Sequence, residues 1–183
     1  AKSGKVVKPE IMVPLISTIE ELVYLKEFIK NTADALIAEA GITLDYKIGT
    51  MVETPRAALI GDLVGPVAEF ISYGTNDLTQ MTFGFSRDDA GKFLKEYATK
   101  KIIPNDPFAA VDQEGVGQLV EMCTKNAKAA NPNIIVGVCG EHGGEPSSID
   151  FFHRAGLNYV SCSPFRIPVA IISAAQAEMR NRK

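Results

Sequence analysis

ISYGTNDLTQ, residues Ile71–Gln80, is the stretch of this sequence that decides its fold. A short apolar run with the character of a β-strand ends at Gly74, and three polar residues, Thr75, Asn76 and Asp77, follow at one point. Polar residues at the carboxyl-terminal end of a buried strand are typical of the face on which barrel enzymes carry their chemistry. The stretch therefore predicts a strand that delivers functional side chains to one edge of a parallel sheet.

Four further apolar runs resemble this strand. They carry β-branched residues and show little strict alternation, as strands buried on both faces of a parallel sheet do. Helical patterns separate most of them, and the first follows a capping box in which Glu20 comes three residues after Ser17. That helix is expected to bury a face formed by Ile19, Leu22, Val23 and Phe28. We expect strands at 10–16, 46–52, 69–73, 133–139 and 157–162, and helices at 17–41, from about 113, and at 146–155 and 168–180.

The alternation of strand, loop and helix is the βα repeat, so the chain is predicted to be an α/β protein with parallel strands. The residues alone leave two architectures open, a segment of a TIM-type barrel or a small doubly wound sheet. Five βα units are too few for a whole eight-stranded barrel. We expect residues 1–9 to be a lead-in segment, 10–183 the α/β domain, and 79–112 an insertion on the face where the strands end.

The composition narrows the function classes. With 183 residues, of which 46% are hydrophobic, the chain is long enough for one domain with a sizeable core. The net charge of -3, with Lys and Arg spread along the sequence, argues against a nucleic-acid partner. No apolar run approaches the roughly 20 residues that span a bilayer, so no membrane association is expected. The three cysteines form no CxxC pair, which favours a reducing compartment; we expect the cytoplasm and leave an organelle open.

Two carboxylates follow two different predicted strands. Glu53 comes directly after the second strand and Asp77 shortly after the third. Mg²⁺ prefers one or two carboxylates, with waters and substrate oxygens completing its octahedron. We therefore expect Glu53 and Asp77 to hold Mg²⁺, while Thr75 and Asn76 supply donors to an anionic ligand. The alternative is that Asp77 caps a helix and Glu53 is a surface residue beside a turn.

CGEHGG, residues 139–144, follows the fourth predicted strand. A thiol at the end of a strand, with glycines behind it, can face a cleft and exchange a proton with carbon or act as a nucleophile, so Cys139 is a candidate catalytic residue. The alternative is an inert buried cysteine. Weaker expectations place Cys123 and Cys162 in the core, Arg56 beside Glu53 or a bound anion, and Ser161 and Ser163 along the same cleft. For His142 the preferred expectation is a polar loop residue, and the alternative is that it orients or tunes the surroundings of Cys139.

Taken together, the motifs resemble those of the pyruvate phosphate dikinase family, in its C-terminal phosphoenolpyruvate/pyruvate-binding barrel. The resemblance covers nearly the whole chain from Pro9. Its specific pieces are EIMVPL (10–15), GTMVETPRAAL (49–59), GTNDLTQMTFG (74–84), DPF (106–108), DQEGVG (112–117) and CGEHGG (139–144). The resemblance implies that the chain is the C-terminal portion, about five βα units, of a (β/α)8 TIM-type barrel.

The resemblance also implies roles for individual residues. Glu53 and Asp77 would ligate Mg²⁺, and Cys139 would be the acid/base at the methyl or methylene carbon of the substrate. The substrate, pyruvate or phosphoenolpyruvate, would be bound by Glu53, Gly74, Thr75, Asn76 and Asp77. The chemistry agrees, because forming an enolate requires a cation at its oxygen and a proton acceptor of adjustable pKa, and an unperturbed thiol has a pKa of about 8.5.

The resemblance extends to the whole enzyme, which would interconvert ATP, pyruvate and phosphate with AMP, phosphoenolpyruvate and pyrophosphate. Its phosphohistidine domain would be a partner of this chain, and a homodimer is expected. The family's phosphoryl-clamping arginine strands, phosphohistidine motif and ATP-grasp domain are not found in this sequence. We therefore expect one part of a larger protein, inactive in isolation. Two alternatives stand: a phosphoenolpyruvate synthase or related phosphotransferase, and a non-catalytic folding or dimerisation module.

Overall fold

Five parallel strands form one sheet, and helices lie between them along the chain. The computed structural model describes residues 1–182, so Lys183, the last residue of the predicted domain, lies outside it. The strands are β1 (Glu10–Val13), β2 (Lys47–Val52), β3 (Phe70–Tyr73), β4 (Ile135–Val138) and β5 (Tyr159–Val160). The helices are α1 (Ile19–Glu39), α2 (Pro55–Leu59), α3 (Gly61–Val67), α4 (Thr75–Phe83), α5 (Arg87–Ala90), α6 (Leu94–Thr99), α7 (Val116–Ala130), α8 (Pro146–Arg154) and α9 (Ile167–Asn181). Short 3-10 turns lie at Glu141–Gly144 and Pro164–Arg166.

The order of the strands across the sheet decides between the two architectures. Each strand pairs in parallel with the next strand along the chain, in the order β1-β2-β3-β4-β5. A doubly wound sheet reverses its order at a switch point, whereas a barrel keeps chain order throughout. Right-handed crossovers then place every connecting helix on the same face of the sheet. The α/β class, the parallel strands and the partial-barrel architecture are confirmed.

The main core lies between the sheet and its helices. Alternate residues of the strands point to this side, among them Val13, Ile71 and Val136, all buried. Helix α7 packs against them with a buried face formed by Val116, Val120, Cys123, Thr124 and Ala127. Tyr73 ties the sheet to α7, because its hydroxyl lies 2.8 Å from Thr124 Oγ1 and 3.1 Å from the Val120 carbonyl. Cys123 is therefore a core residue, as predicted.

Helix α1 differs from expectation at its start and on one face. Its capping box is formed by Thr18 and Glu21, one residue later than predicted. The sequence contains Ser or Thr followed three residues later by Glu in both registers, so the pattern alone does not choose between them. Leu22 is buried, but Val23 and Phe28 are 48% and 63% exposed, so those two do not belong to the buried face.

The segment between α4 and α7 builds a small apolar cluster of its own. Phe85 lies between Phe83 and Phe93, with ring centroids 5.3 and 4.9 Å apart, and Tyr97 extends the row at 5.3 Å from Phe93. Aromatic neighbours at such distances add stability beyond their buried area. This segment contains most of the predicted insertion at 79–112, and the division into 1–9, 10–183 and 79–112 stays a prediction. Within residues 1–182, no helix combines the length and the apolar character needed to cross a membrane.

Candidate active site

Three of the predicted site residues lie side by side in one row at the carboxyl-terminal edge of the sheet. The parallel ladder continues one residue past the paired strands, through hydrogen bonds from Gly74 N–H to the Val52 carbonyl (3.2 Å) and from Cys139 N–H to the Tyr73 carbonyl (3.1 Å). Successive residues of a strand point to opposite faces, so this row faces away from the core. The row consists of Glu53, Gly74 and Cys139, with Ser161 next to it on the following strand.

Glu53 is buried and held by the backbone of the neighbouring strand. Glu53 is only 2% exposed, and its Oε1 accepts a 2.8 Å hydrogen bond from the Leu15 N–H. Leu15, just beyond β1, has a φ of 52°, a left-handed conformation that is uncommon for a residue with a side chain. The alternative interpretation of Glu53 as a surface residue is wrong.

Gly74 lies against the Glu53 carboxylate. A Cβ added at Gly74 would come within 2.2 Å of Glu53 Oε2 and 2.8 Å of Glu53 Cβ. Real Cβ atoms do not approach so closely, so any other residue would displace the carboxylate. Glycine is therefore required at this position if Glu53 is to keep its place.

Asp77 lies in the first turn of α4, three residues after the helix cap, which is Gly74. It is not the capping residue, so that alternative is wrong. An acidic side chain in the first turn interacts favourably with the positive end of the helix dipole. The Oδ1 of Asp77 accepts a 2.9 Å hydrogen bond from the side-chain amide nitrogen of Gln80. The side-chain oxygen of Gln80 in turn accepts a 2.7 Å hydrogen bond from the backbone N–H of Arg87. These bonds fix the Asp77 side chain in the first turn of α4.

The Asp77 carboxylate is close enough to Glu53 to influence the protonation of Glu53. Burial raises the pKa of Glu53, the Leu15 N–H acts in the opposite direction, and the nearby Asp77 carboxylate raises it further. Two mutually repelling carboxylates at a helix start and a strand end suit a hard divalent cation that takes one or two carboxylates. Within residues 1–182, no cluster of three or more His, Cys, Asp or Glu side chains is placed to share a metal. The donor set thus fits Mg²⁺ that draws its remaining ligands from water and substrate.

Cys139 is half-buried and reaches a cavity of about 230 Å³. Burial raises the pKa of the thiol, and its Sγ lies 3.6 Å from the Tyr73 carbonyl. The cavity is lined by Asn76, Cys139, Gly140, Glu141, Ser161, Cys162, Ser163 and Arg166. Larger grooves of about 570 and 500 Å³ lie along α7 and residues 102–114 and contain none of the predicted site residues. The thiol is therefore accessible from the smaller cavity, whose lining includes Asn76 but neither Glu53 nor Asp77.

Thr75 and Asn76 bring α4 against the loop that follows Cys139. Thr75 is fully buried, and a Cβ added at Gly140 would come within 2.0 Å of its Oγ1. Asn76 Oδ1 accepts a 3.2 Å hydrogen bond from the Glu141 N–H. The start of α4 and residues 139–141 thus pack together as one wall of the cavity.

Several weaker expectations need correction. Arg56 bonds the Ser17 carbonyl rather than Glu53, because α2 directs it toward the start of α1. Cys162 lies beyond β5 and lines the cavity, half-buried, instead of lying in the core. His142 is fully buried, not exposed on a polar loop. Ser161 and Ser163 line the cavity, as predicted.

Sequence reasoning did not identify Leu15 or Arg166 as parts of this region. Leu15 acts through its backbone, and its side chain gives no signal of that role. Arg166 follows the serines of the last strand and donates to the Gly144 carbonyl at 3.4 Å. The position of Arg166 shortly after Ser161 and Ser163, at the end of the last strand, could have indicated that it lies near the cavity.

An open, chain-ordered parallel sheet with polar side chains gathered on its carboxyl-terminal edge is typical of the barrel-type α/β class of proteins, which carry their functional residues at that edge. The profile of the family described as "PEP-utilising enzyme, PEP-binding domain" matches residues 1–179, and the chain belongs to this family. The resemblance drawn from the sequence is thereby confirmed.

Several curated proteins that are similar to this chain are pyruvate, phosphate dikinases. The chloroplastic protein of Flaveria bidentis is 59% identical over 173 residues, which are 94% of this chain and 18% of the relative. The protein of Clostridium symbiosum is 55% identical over 181 residues, covering 99% of this chain and 21% of the relative. The chain thus spans about a fifth of the length of these relatives.

Among solved structures, a citrate lyase from Burkholderia xenovorans LB400 matches with a TM-score of 0.55 at 18% identity. The match covers 90% of this chain and 48% of that one. At this identity the likeness concerns the fold alone, and it agrees with a segment of a larger barrel-type domain.

Proposed function

We propose that this chain is the C-terminal, substrate-binding part of a pyruvate phosphate dikinase. The parent enzyme would interconvert ATP, pyruvate and phosphate with AMP, phosphoenolpyruvate and pyrophosphate. Support comes from the curated relatives that bear this name, at 55–59% identity over 94–99% of the chain. The single structural observation that carries the chemistry is the row in which Glu53, Gly74 and Cys139 lie side by side.

In this proposal the carboxylates of Glu53 and Asp77 hold Mg²⁺, which would stabilise negative charge on the substrate's carboxylate and enolate oxygens. Glu53 is kept in place by the Leu15 N–H and by the absence of a side chain at Gly74. The first turn of α4 presents backbone N–H groups and the amide of Asn76 to the carboxylate of pyruvate, as helix starts commonly do for anions. Gly74, Thr75 and Asn76 therefore orient the substrate.

Cys139 exchanges the proton at carbon in this proposal. The thiolate removes a proton from the pyruvate methyl group, and in the reverse direction the thiol returns it to the methylene carbon of phosphoenolpyruvate. Burial raises the pKa of Cys139, which makes the thiolate a stronger base once it forms. Its half-buried position beside the cavity allows the substrate carbon to reach the sulfur.

The partners follow from the same proposal. The phosphohistidine domain of the parent protein would exchange the phosphoryl group with the substrate at the open carboxyl-terminal face, and the parent would form a homodimer. The cytoplasm is the proposed location, and an organelle stays open because several relatives are chloroplastic.

The experiment that tests the assignment measures the co-substrate of the full-length dikinase to which we propose this chain belongs. Pyruvate, ATP and Mg²⁺ should give phosphoenolpyruvate only when inorganic phosphate is present, with release of pyrophosphate. A phosphoenolpyruvate synthase would instead use water and release phosphate. Turnover without added phosphate would contradict the assignment as a dikinase and favour a phosphoenolpyruvate synthase.

A non-catalytic folding or dimerisation role is a second candidate, because apolar side chains are exposed on the outer helices. Examples are Tyr24 on α1 and Ile171, Ile172 and Met179 on α9. The end strands β1 and β5 also have one unpaired edge each within the described residues. Large apolar patches and open edges are characteristic of interfaces. Sedimentation of the chain with and without Mg²⁺ and pyruvate separates the two: association without ligand binding favours this role.

A further inference from the structure

His142 is a buried histidine only three residues after the candidate catalytic thiol. It is 0% exposed, and its Nε2 lies 2.9 Å from the carbonyl oxygen of Pro107. Because a carbonyl can only accept, Nε2 carries the hydrogen. The other ring nitrogen, Nδ1, has no hydrogen-bond partner among residues 1–182. Burial lowers the pKa of His142, so the neutral ring is the stable form.

Pro107 belongs to the long segment between α6 and α7, far from His142 along the chain. The imidazole therefore joins this segment to the loop that begins at Cys139. Three other side-chain contacts act on the same loop beyond Cys139, and the longest of the hydrogen bonds is the one of 3.4 Å from Arg166 to the Gly144 carbonyl. Glu141 N–H donates to Asn76 at the start of α4, and the Glu141 carboxylate lies 3.9 Å from the Arg87 guanidinium.

These contacts differ in strength. The Arg87–Glu141 pair is exposed, and exposed ion pairs contribute little. The Asn76 bond is longer, at 3.2 Å, and also lies at the surface. The His142 bond is short and shielded from water, so breaking it leaves a buried carbonyl and a buried ring nitrogen without partners. It is the contact on which the geometry of the loop most depends.

We propose that His142 is a positioning residue, whose Nε2–H bond to the Pro107 carbonyl holds residues 139–144 against α4 and so keeps the Cys139 thiol half-buried beside the carboxylates. The inference rests on the proposed role of Cys139 as the acid/base. Beyond that role, the inference assigns the position of the Cys139 thiol to a histidine that does not contact the substrate. It also makes the segment around Pro107 part of the structure that supports the site.

The test measures the alkylation rate of each cysteine by iodoacetamide, followed by tryptic mass spectrometry. Cleavage after Lys128, Arg154 and Arg166 places the three thiols in three separate peptides, with Cys139 in peptide 129–154. The amide nitrogen of Gln reproduces the reach of Nε2, whereas the shorter Asn does not. We expect His142→Asn to raise the rate at Cys139 about threefold or more, because the sulfur becomes more exposed, and His142→Gln to stay near the parent rate.

The internal controls distinguish a local effect from unfolding. Cys123 is buried and burial raises its pKa to about 11, so its rate rises only if the core opens. His153→Asn, at a partly exposed position of α8 near Glu178, should leave all three rates unchanged. Equal Cys139 rates in the parent, His142→Asn and His142→Gln would overturn the proposal.

A second measurement is ¹⁵N NMR of the imidazoles. The chain contains two histidines, so comparison of the parent with the His153→Asn control assigns both sets of signals. At pH 8, above the ordinary pKa of histidine, we expect the neutral His142 ring to carry its hydrogen on Nε2; an Nδ1–H tautomer would overturn the proposal. Neither measurement involves turnover, so a failure of the proposed enzyme activity and a failure of this inference are separately visible.

Discussion

The backbone N–H of Leu15 donates a 2.8 Å hydrogen bond to Oε1 of Glu53, 38 residues away. Leu15 adopts a positive φ of 52° to do so, a conformation that costs a residue with a side chain on the order of 1 kcal/mol. Strain of this kind persists where the surrounding structure requires it, and it concentrates at functional sites. The carboxylate at the end of β2 is therefore oriented by the backbone that leaves β1.

This relationship predicts different outcomes for two substitutions at one position. Leu15→Pro removes the N–H and imposes a φ near −65°, so Glu53 loses its donor. Hydrogen bonds to charged groups contribute about 1.5–3 kcal/mol, so we expect methyl-proton exchange of pyruvate in the full-length enzyme to fall roughly tenfold or more. Leu15→Gly keeps the N–H and adopts positive φ without strain, so exchange should stay close to the parent rate. Unchanged exchange in the Pro variant would show that the Leu15 bond does not matter.

Replacing Gly140 with Ala should destabilise the fold. The new Cβ would lie 2.0 Å from Thr75 Oγ1 and 2.9 Å from the Thr75 backbone nitrogen, both in a buried wall. Overpacking of this kind costs about 1–3 kcal/mol, which for a chain of this size lowers Tm by about 2–4 °C per kcal/mol.

The matched control is Gly91→Ala, where an added Cβ meets nothing within 4 Å and Tm should not fall. Because the clash is with the Thr75 side chain in part, adding Thr75→Ala to Gly140→Ala should cost less than the sum of the two single changes. Strict additivity in this cycle, measured by thermal unfolding, would contradict the packing described.

Glu53→Gln should stabilise the metal-free protein at neutral pH. Burial first, and then the Asp77 carboxylate, place the pKa of Glu53 above its usual value despite the Leu15 N–H. An acid with a raised folded-state pKa destabilises the fold above that pKa, and this cost disappears as pH falls through the folded pKa toward the unfolded value. In EDTA at pH 8 we expect a gain of about 1 kcal/mol, or roughly 2–4 °C in Tm. The difference from the parent should vanish near pH 4.

Glu69→Gln is the control for this experiment. Glu69 also accepts a backbone N–H, from Ile48 at 2.7 Å, but it lies at the amino-terminal edge of the sheet and is partly exposed. No gain in Tm is expected there. A Glu53→Gln variant that is less stable than the parent at pH 8 would show that burial and the Asp77 carboxylate do not make the charged form of Glu53 unfavourable.

Local sequence patterns predicted the α/β class with parallel strands and the candidate side chains that gather at the carboxyl-terminal edge of the sheet. The strand-forming runs are apolar and β-branched, and turn residues such as Gly74 end them. Parallel strands bring their carboxyl ends to one edge, which is why Glu53 and Cys139, 86 positions apart in the sequence, come to lie in the same row. The periodicity of the sequence and the topology of parallel strands were sufficient to predict that these residues lie at the same edge of the sheet.

The parts that were missed depend on contacts distant in sequence. The positive φ of Leu15 and the burial of His142 follow from partners 38 and 35 residues away, which no local pattern reveals. Cys162 was expected in the core because β5 was predicted to reach it, whereas the strand ends at Val160. The assignment of catalytic and metal-binding roles remains a prediction.

Exchange of the pyruvate methyl protons with D₂O, followed by ¹H NMR in the full-length enzyme with Mg²⁺, tests the central claim most directly. Cys139→Ala should lower the exchange rate by about 10²–10⁴-fold, the usual contribution of a positioned acid or base. Cys162→Ala, which changes another thiol of the same cavity, should leave exchange within about twofold, and ATP-dependent histidine phosphorylation should persist in both variants. Exchange at the parent rate in Cys139→Ala would contradict the account.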